Sequence, residues 1–295
     1  MRMIFHIGWP KTGTTAFQSW LAGHEPLLEE RGILYPKTGR DSVGAHNCLV
    51  FPIIRDPHFP PVTTTEKIWG ELAREIGEKA SKKDYGTLIL SSEIFTLVKD
   101  FGPLFEFLRP FRGPASLLAV VRRQTEMLPS IHAQHVCDPH LHTTETLMET
   151  FESNKRRFLY HEILNRLERS GLWDRVQVFD YGTDVLSKLI GWIGLDFLPD
   201  RPAWLNASPP PELIETIRRA NAYEMPLKDR KQLNEGMFRS ALKRPPRSPL
   251  LNEQEVRTVE KYYEASNADL LKDYGVDLLS DRLPARQAGA ATGAP

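Results

Sequence analysis

Apolar residues recur along this chain at two spacings, and the spacing names the elements. Residues 2–7 are a short apolar run bounded by Gly8 and Pro10, which predicts a buried strand. Over 14–22, Phe17, Trp20 and Leu21 fall at i, i+3 and i+4, the spacing of one helix face. The chain therefore begins strand, glycine loop, helix. Further buried strands are predicted at 87–90, 116–121 and 175–179. Helices are predicted over 66–82, where Ile68, Leu72, Ile76 and Ala80 share a side, and over 124–136, 155–169, 185–193, 212–223 and 252–274. The stretch 36–65, rich in Pro, His, Thr and Asp, keeps no period and reads as a long surface loop with one short helix.

Strands alternating with helices imply an α/β fold, a parallel β-sheet flanked by helices with a helical C-terminal portion. In such sheets ligands bind beyond the carboxyl ends of the strands. Three groups fall there: the loop carrying Lys11, the run Ser91-Ser92-Glu93, and the segment from Arg122 to Ser130.

Composition narrows the setting. The chain has 295 residues, 41% hydrophobic and 26% charged, with a formal net charge of zero. There is no global basic field to draw nucleic acid or an anionic membrane. Cys48 and Cys137 are too few for a disulfide framework, and no segment nears the roughly 18 to 20 apolar residues of a membrane span. A cytoplasmic protein is expected. KRPPRSP at 243–249 reads as a basic, proline-rich linker or lid, and the low-complexity tail at 284–295 is expected to be disordered.

The chemistry concentrates in FHIGWPKTGTTAFQSWL, residues 5–21. The phosphate-loop pattern G-x-x-x-x-G-K-[ST] fits Gly8, Gly13 and Thr15, but Thr14 stands at the lysine position and the lysine is Lys11, inside the loop. Gly13 allows a tight turn. The backbone N–H groups of Thr12, Gly13, Thr14 and Thr15 then face an anion at a helix N-terminus, with Lys11 adding a full charge. A magnesium-dependent NTPase or kinase would use a similar loop, but the usual lysine is absent and no apolar run ends in a suitably placed Asp. No G-x-G-x-x-G occurs, which argues against a dinucleotide site.

HIGWPKTGTTAFQSWL resembles the 5′-phosphosulfate loop of sulfotransferases that use 3′-phosphoadenosine 5′-phosphosulfate (PAPS), written P-K-[ST]-G-T-T. The KTGTTA form is most similar to the heparan sulfate N-deacetylase/N-sulfotransferase branch and to bacterial relatives. The resemblance implies a P-loop NTPase-like sulfotransferase fold over 1–283, no required metal, and a lysine, Lys11, that meets the charge building on the departing phosphate. Many steroid and phenol enzymes carry a tryptophan where this chain has Ala16, so adenine stacking comes from elsewhere.

LLAVVRRQTEMLPSIHAQHV, 117–136, resembles the family's 3′-phosphate motif, an arginine at a strand end and a serine eight residues on. Arg122 and Ser130 fit, with Arg123 the fallback. A planar guanidinium suits a phosphate dianion. In TLILSSEIF, 87–95, Glu93 is the candidate general base, with His46 of GAHN the second candidate. Tyr181, in VQVFDYGTDVL, resembles the strand-end tyrosine near the nucleotide. The region 201–208 and KRPPRSP fall where relatives close over the nucleotide, but the G-x-x-G-x-x-K form of that loop is absent.

The function so implied is transfer of a sulfuryl group from PAPS, as co-substrate, to a hydroxyl or amine by in-line displacement. An ATP-dependent kinase and a non-catalytic nucleotide-binding protein are the alternatives. Lys37, Arg40, His46, Arg55 and His58 on the long loop point to a polar or acidic sugar as acceptor, with a lipid or small metabolite left open. His132, His135, His140 and His142 cluster as metal ligands can, but no H-E-x-x-H occurs, and substrate contacts or plain surface are the preferred reading.

Overall fold

The computed structural model describes residues 1–54, 64–182, 184–196, 209–241 and 250–279. Five strands form one all-parallel sheet: β1 (Arg2–Gly8), β2 (Ile33–Leu34), β3 (Thr87–Ser91), β4 (Ala115–Val121) and β5 (Arg175–Asp180). Their order is β2-β3-β1-β4-β5, with β1 central.

Helices pad both faces. They are α1 (Thr14–Gly23), α2 (Glu25–Glu30), α3 (Phe51–Ile54), α4 (Thr65–Ala80), α5 (Gly102–Phe107), α6 (Gln124–Cys137), α7 (Leu147–Asn154), α8 (Tyr160–Glu168), α9 (Val185–Trp192), α10 (Pro211–Ala220), α11 (Leu227–Ala241) and α12 (Glu253–Tyr274). Side chains alternate across β1 because successive residues of a strand point to opposite faces. Met3, Phe5 and Ile7 join a core built with α4, α5, α6, α8 and α12. Ile4 joins a second core with Phe17, Trp20 and Leu21 of α1 and Leu186, Leu189 and Ile190 of α9. Phe5 is the hub of the first, its ring 5.2–6.0 Å from those of Phe95, Phe101, Phe105 and Trp173. Truncating such a ring to alanine costs roughly 3–5 kcal/mol.

The register places the functional loops together. His6 of β1 pairs with Ser91, Gly8 with Val120, and Val121 with Asp180. The carboxyl ends of β1, β3, β4 and β5 are therefore level along one edge of the sheet.

The helix predicted over 155–169 is interrupted. A 3₁₀ turn, Lys155–Phe158, gives way at Leu159 (φ −77°, ψ 80°) before α8 begins. The break turns Tyr160 inward, fully buried against β4. The long loop holds a 3₁₀ turn, His46–Leu49, as well as α3, while Arg55 and His58 lie outside the described residues. So do 201–208, 243–249 and the tail 284–295. No helix among the described residues is long and apolar enough to cross a membrane.

Candidate active site

The end of β1 has no room for a side chain at Gly8. A Cβ on Gly8 would stand 2.3 Å from Thr14 Cγ2. Gly13 caps α1 with φ 82°, and Lys11 has φ 67°, a left-handed conformation uncommon for a residue with a side chain. The Thr12 hydroxyl closes the turn by donating to the Trp9 carbonyl at 2.7 Å. α1 starts with no side-chain cap and no acidic residue in its first turn. Its leading N–H groups and the positive end of its dipole thus face the space before the helix, the arrangement that receives phosphate or sulfate.

Trp9 holds this loop against the 3₁₀ turn Lys155–Phe158 and the start of α8. Its indole N–H donates to the Arg157 carbonyl at 2.7 Å, and its ring packs edge-on against Tyr160 at 4.6 Å. The Tyr160 hydroxyl donates to the Arg122 carbonyl at 2.8 Å. Arg122 reaches back: its Nη1 donates to the Lys11 carbonyl at 3.1 Å, and its guanidinium lies 4.6 Å over the ring of Tyr181. Tyr181 in turn stands beside Gly13, where an added Cβ would be 3.4 Å from its Cε2. Arg123 turns the other way, to Glu260 at 2.6 Å. Arg122, not the fallback Arg123, is the arginine that meets the loop.

Ser130 is on α6, half-buried, its hydroxyl 3.5 Å from the Glu126 carbonyl of its own helix. The Glu126 carboxylate also accepts from Arg122 Nε at 3.4 Å. Glu126 was not picked out by the motif, although it stands four residues from both Arg122 and Ser130, one helical turn each way.

Glu93 follows β3. Its Oε2 accepts from the Thr14 hydroxyl at 3.3 Å, tying it to the phosphate-type loop. Burial pushes its carboxyl above the usual range, while the Thr14 hydroxyl, Lys11 and Arg157 pull it back. Burial lowers the Lys11 amine, with Glu93 raising it and Arg122 lowering it further. Lys11 therefore acts electrostatically on both Glu93 and Arg122, and Arg157 on Glu93.

His46 does not fit the role of second candidate base. It is fully buried; its Nδ1 accepts from the Ser91 N–H at 3.1 Å and its Nε2 sits 2.9 Å from the Pro36 carbonyl. Both nitrogens are committed, the ring is a neutral Nε2–H tautomer, and burial drives its pKa down to about 3. It fastens the 36–50 loop to β3. Ser92 does the same, donating to Asn47 Oδ1 at 2.6 Å. Lys37 and Arg40 pair with Glu25 at 3.2 and 2.6 Å, so these cations brace the loop against α2.

The four clustered histidines are separated. His132 is buried with Nδ1 3.0 Å from the Thr150 hydroxyl, while His140 and His142 are exposed. Among the described residues no group of three His, Cys, Asp or Glu side chains could hold a metal ion. Arg157 is the residue that sequence reading missed entirely. It is one of three consecutive basic residues, and only the Trp9 contact marks it out.

No family model matches the chain, and no curated protein matches it. Solved structures do. Mouse sulfotransferase SULT7A1 complexed with PAP aligns over 93% of this chain and 86% of its own, at 14% identity and a TM-score of 0.41. Retinol dehydratase in complex with androsterone and inactive cofactor PAP aligns over 93% and 82%, at 11% identity and 0.37. Retinol dehydratase in a complex with retinol and PAP aligns over 93% and 82%, at 13% and 0.35. At these identities and scores the likenesses assign no activity, and none of the three belongs to the heparan sulfate branch that the KTGTTA form resembles.

Proposed function

We propose that this protein is a PAPS-dependent sulfotransferase. The observation that carries the reading is the double tie across one loop: Thr14 bonded to Glu93 and Lys11 bonded to Arg122. It brings a phosphate-type helix start, a half-buried carboxylate and a guanidinium fork to one edge of the sheet.

The residues fit the nucleotide. The uncapped start of α1 and the left-handed Lys11 and Gly13 suit a 5′-phosphate group. Arg122, with Ser130, suits a 3′-phosphate, and Tyr181 supports the Arg122 fork from below. When bound, PAPS supplies the sulfuryl group. Glu93 takes the proton of the acceptor hydroxyl or amine, and burial fits it for this because a raised carboxyl pKa approaches the working pH of a base. As the acceptor forms its bond to sulfur, the bond from sulfur to the phosphate oxygen breaks and its electron pair leaves with the phosphate. Lys11 and the N–H groups of Thr12 to Thr15 stabilise that charge, which is greater in the transition state than in the ground state.

Calorimetric titration with 3′-phosphoadenosine 5′-phosphate (PAP), and separately with ADP, both without metal, tests this. Tight binding of PAP alone, with the preference lost in Arg122→Ala, supports the reading. Equal binding of both, or binding only of ATP with Mg²⁺, sinks it in favour of a kinase.

A further inference from the structure

The backbone at Arg122 passes from strand to helix, and one carbonyl there belongs to neither. β4 ends at Val121, whose carbonyl accepts from the Tyr181 N–H at 2.7 Å. α6 begins at Gln124, and the Arg123 carbonyl already accepts from the N–H groups of Glu126 and Met127 at 3.0 Å. The Arg122 carbonyl lies between these two ladders. Its donor is the hydroxyl of Tyr160, at 2.8 Å. A main-chain carbonyl left without a donor inside a fold is costly, so this bond stands in for a missing rung.

That carbonyl orients the planar peptide joining Arg122 to Arg123. The two side chains part at this point. Arg122 turns to the Lys11 carbonyl and Arg123 to Glu260. Tyr160 also touches the other side of the site, since its ring packs edge-on against Trp9 at 4.6 Å, two residues before Lys11. It is fully buried, and its hydroxyl also lies 3.2 Å from Met127 Sδ. Burial raises the phenol well above its ordinary range, so the hydroxyl keeps its proton and remains a donor. One rigid side chain thus spans the Lys11 loop and the strand end that bears Arg122.

We infer that Tyr160 is a positioning residue: its hydroxyl holds Arg122 at a fixed distance from the Lys11 loop, and so sets the span over which a 5′- and a 3′-phosphate are received together. This rests on the sulfotransferase reading and deepens it. Tyr160 touches neither phosphate. It acts through Arg122, so its removal weakens ligands that carry a 3′-phosphate and spares those that lack one.

The test is a double-mutant cycle on the full chain, read by titration with PAP and with ADP. Tyr160→Phe keeps the ring against Trp9 and removes the donor. It is expected to weaken PAP about tenfold and leave ADP nearly unchanged. In the Arg122→Ala background it is expected to cost PAP nothing more, because the residue it positions is gone. Met127→Leu, which removes the sulfur contact and keeps the carbonyl bond, is expected to hold the preference for PAP. Equal weakening of PAP and ADP, no weakening of either, the same loss with Arg122 absent, or a preference that falls as far in Met127→Leu overturns the inference. A wild-type chain that does not prefer PAP counts against the sulfotransferase reading instead. The arginine Nε–H spectrum then decides the role of Tyr160 without a nucleotide. The Arg122 signal, assigned by its loss in Arg122→Ala, is expected to move in Tyr160→Phe, and an unmoved signal overturns the inference.

Discussion

The Thr14 hydroxyl donates to the Glu93 carboxylate at 3.3 Å while its methyl fills the space that Gly8 leaves empty. One side chain therefore sets both the shape of the loop and the aim of the carboxylate. Thr14→Val keeps the shape and removes the bond. Because that bond lowers the Glu93 pKa, its loss raises it, and the acid limb of the pH profile moves to higher pH. Thr14→Ser should leave it in place. NMR titration of ¹³C-labelled glutamate, with Glu93→Gln as the assignment control, reads the shift without an acceptor.

In the proposed site, Arg122 with Glu126 beside it forms the second phosphate subsite. Charge-assisted hydrogen bonds contribute roughly 1.5–3 kcal/mol. Arg122→Ala should therefore cost PAP binding about ten- to a hundredfold and leave ADP binding nearly unchanged. Glu126→Gln should act in the opposite direction, because the carboxylate now bonded to Arg122 Nε is a competitor for a bound phosphate. Tighter ADP binding in Glu126→Gln without tighter PAP binding would refute this role.

Lys11→Ala should cut turnover by about 10²–10³, the usual loss on removing a group that stabilises developing charge. The fall should be larger in kcat than in KM, since the interaction strengthens in the transition state. A change confined to KM would make Lys11 a binding residue only.

Two buried histidines make the fold sensitive to acid. His6 bonds Ser91 Oγ at 2.7 Å and His46 bonds the Ser91 N–H, and burial drives both rings down to about 3. In the unfolded chain histidine titrates near 6.5. Between these values the unfolded state binds more protons, so stability is full above about pH 6.5 and falls as pH drops toward 3. Each histidine removes about 2 kcal/mol between pH 6.5 and 5. Urea unfolding at pH 7.5 and pH 5 should show this loss, and His6→Phe should halve it. A flat profile would contradict the burial of these rings.

Much of the sheet was legible because its strands are short apolar runs closed by glycine, proline or charge. The Lys11 loop was legible for a different reason: a lysine between proline and glycine, ahead of two threonines, is uncommon and chemically specific. β2 escaped notice because a two-residue edge strand has no period to detect. α6, predicted over 124–136, forms with Pro129 inside it. His46 misled because burial is a tertiary property. In sequence it is a polar residue of a polar loop, and only the fold turns it under β3. Arg157 was hidden likewise, since its importance comes from Trp9, 148 residues away.

The contact between α6 and α12 bears on how the protein is made. Gln124, two residues after Arg122, exchanges a pair of amide hydrogen bonds with Asn267 at 2.9 and 3.0 Å, and Arg123 is held by Glu260. The loop bearing Lys11 leaves the ribosome long before α12 does, because α12 follows it far along the chain. A nascent chain can hence form the sheet and its glycine loop long before the arginine opposite has its support. Binding of the nucleotide should switch on late and abruptly during synthesis, and chains released before residue 267 should be folded in part yet unable to discriminate a 3′-phosphate.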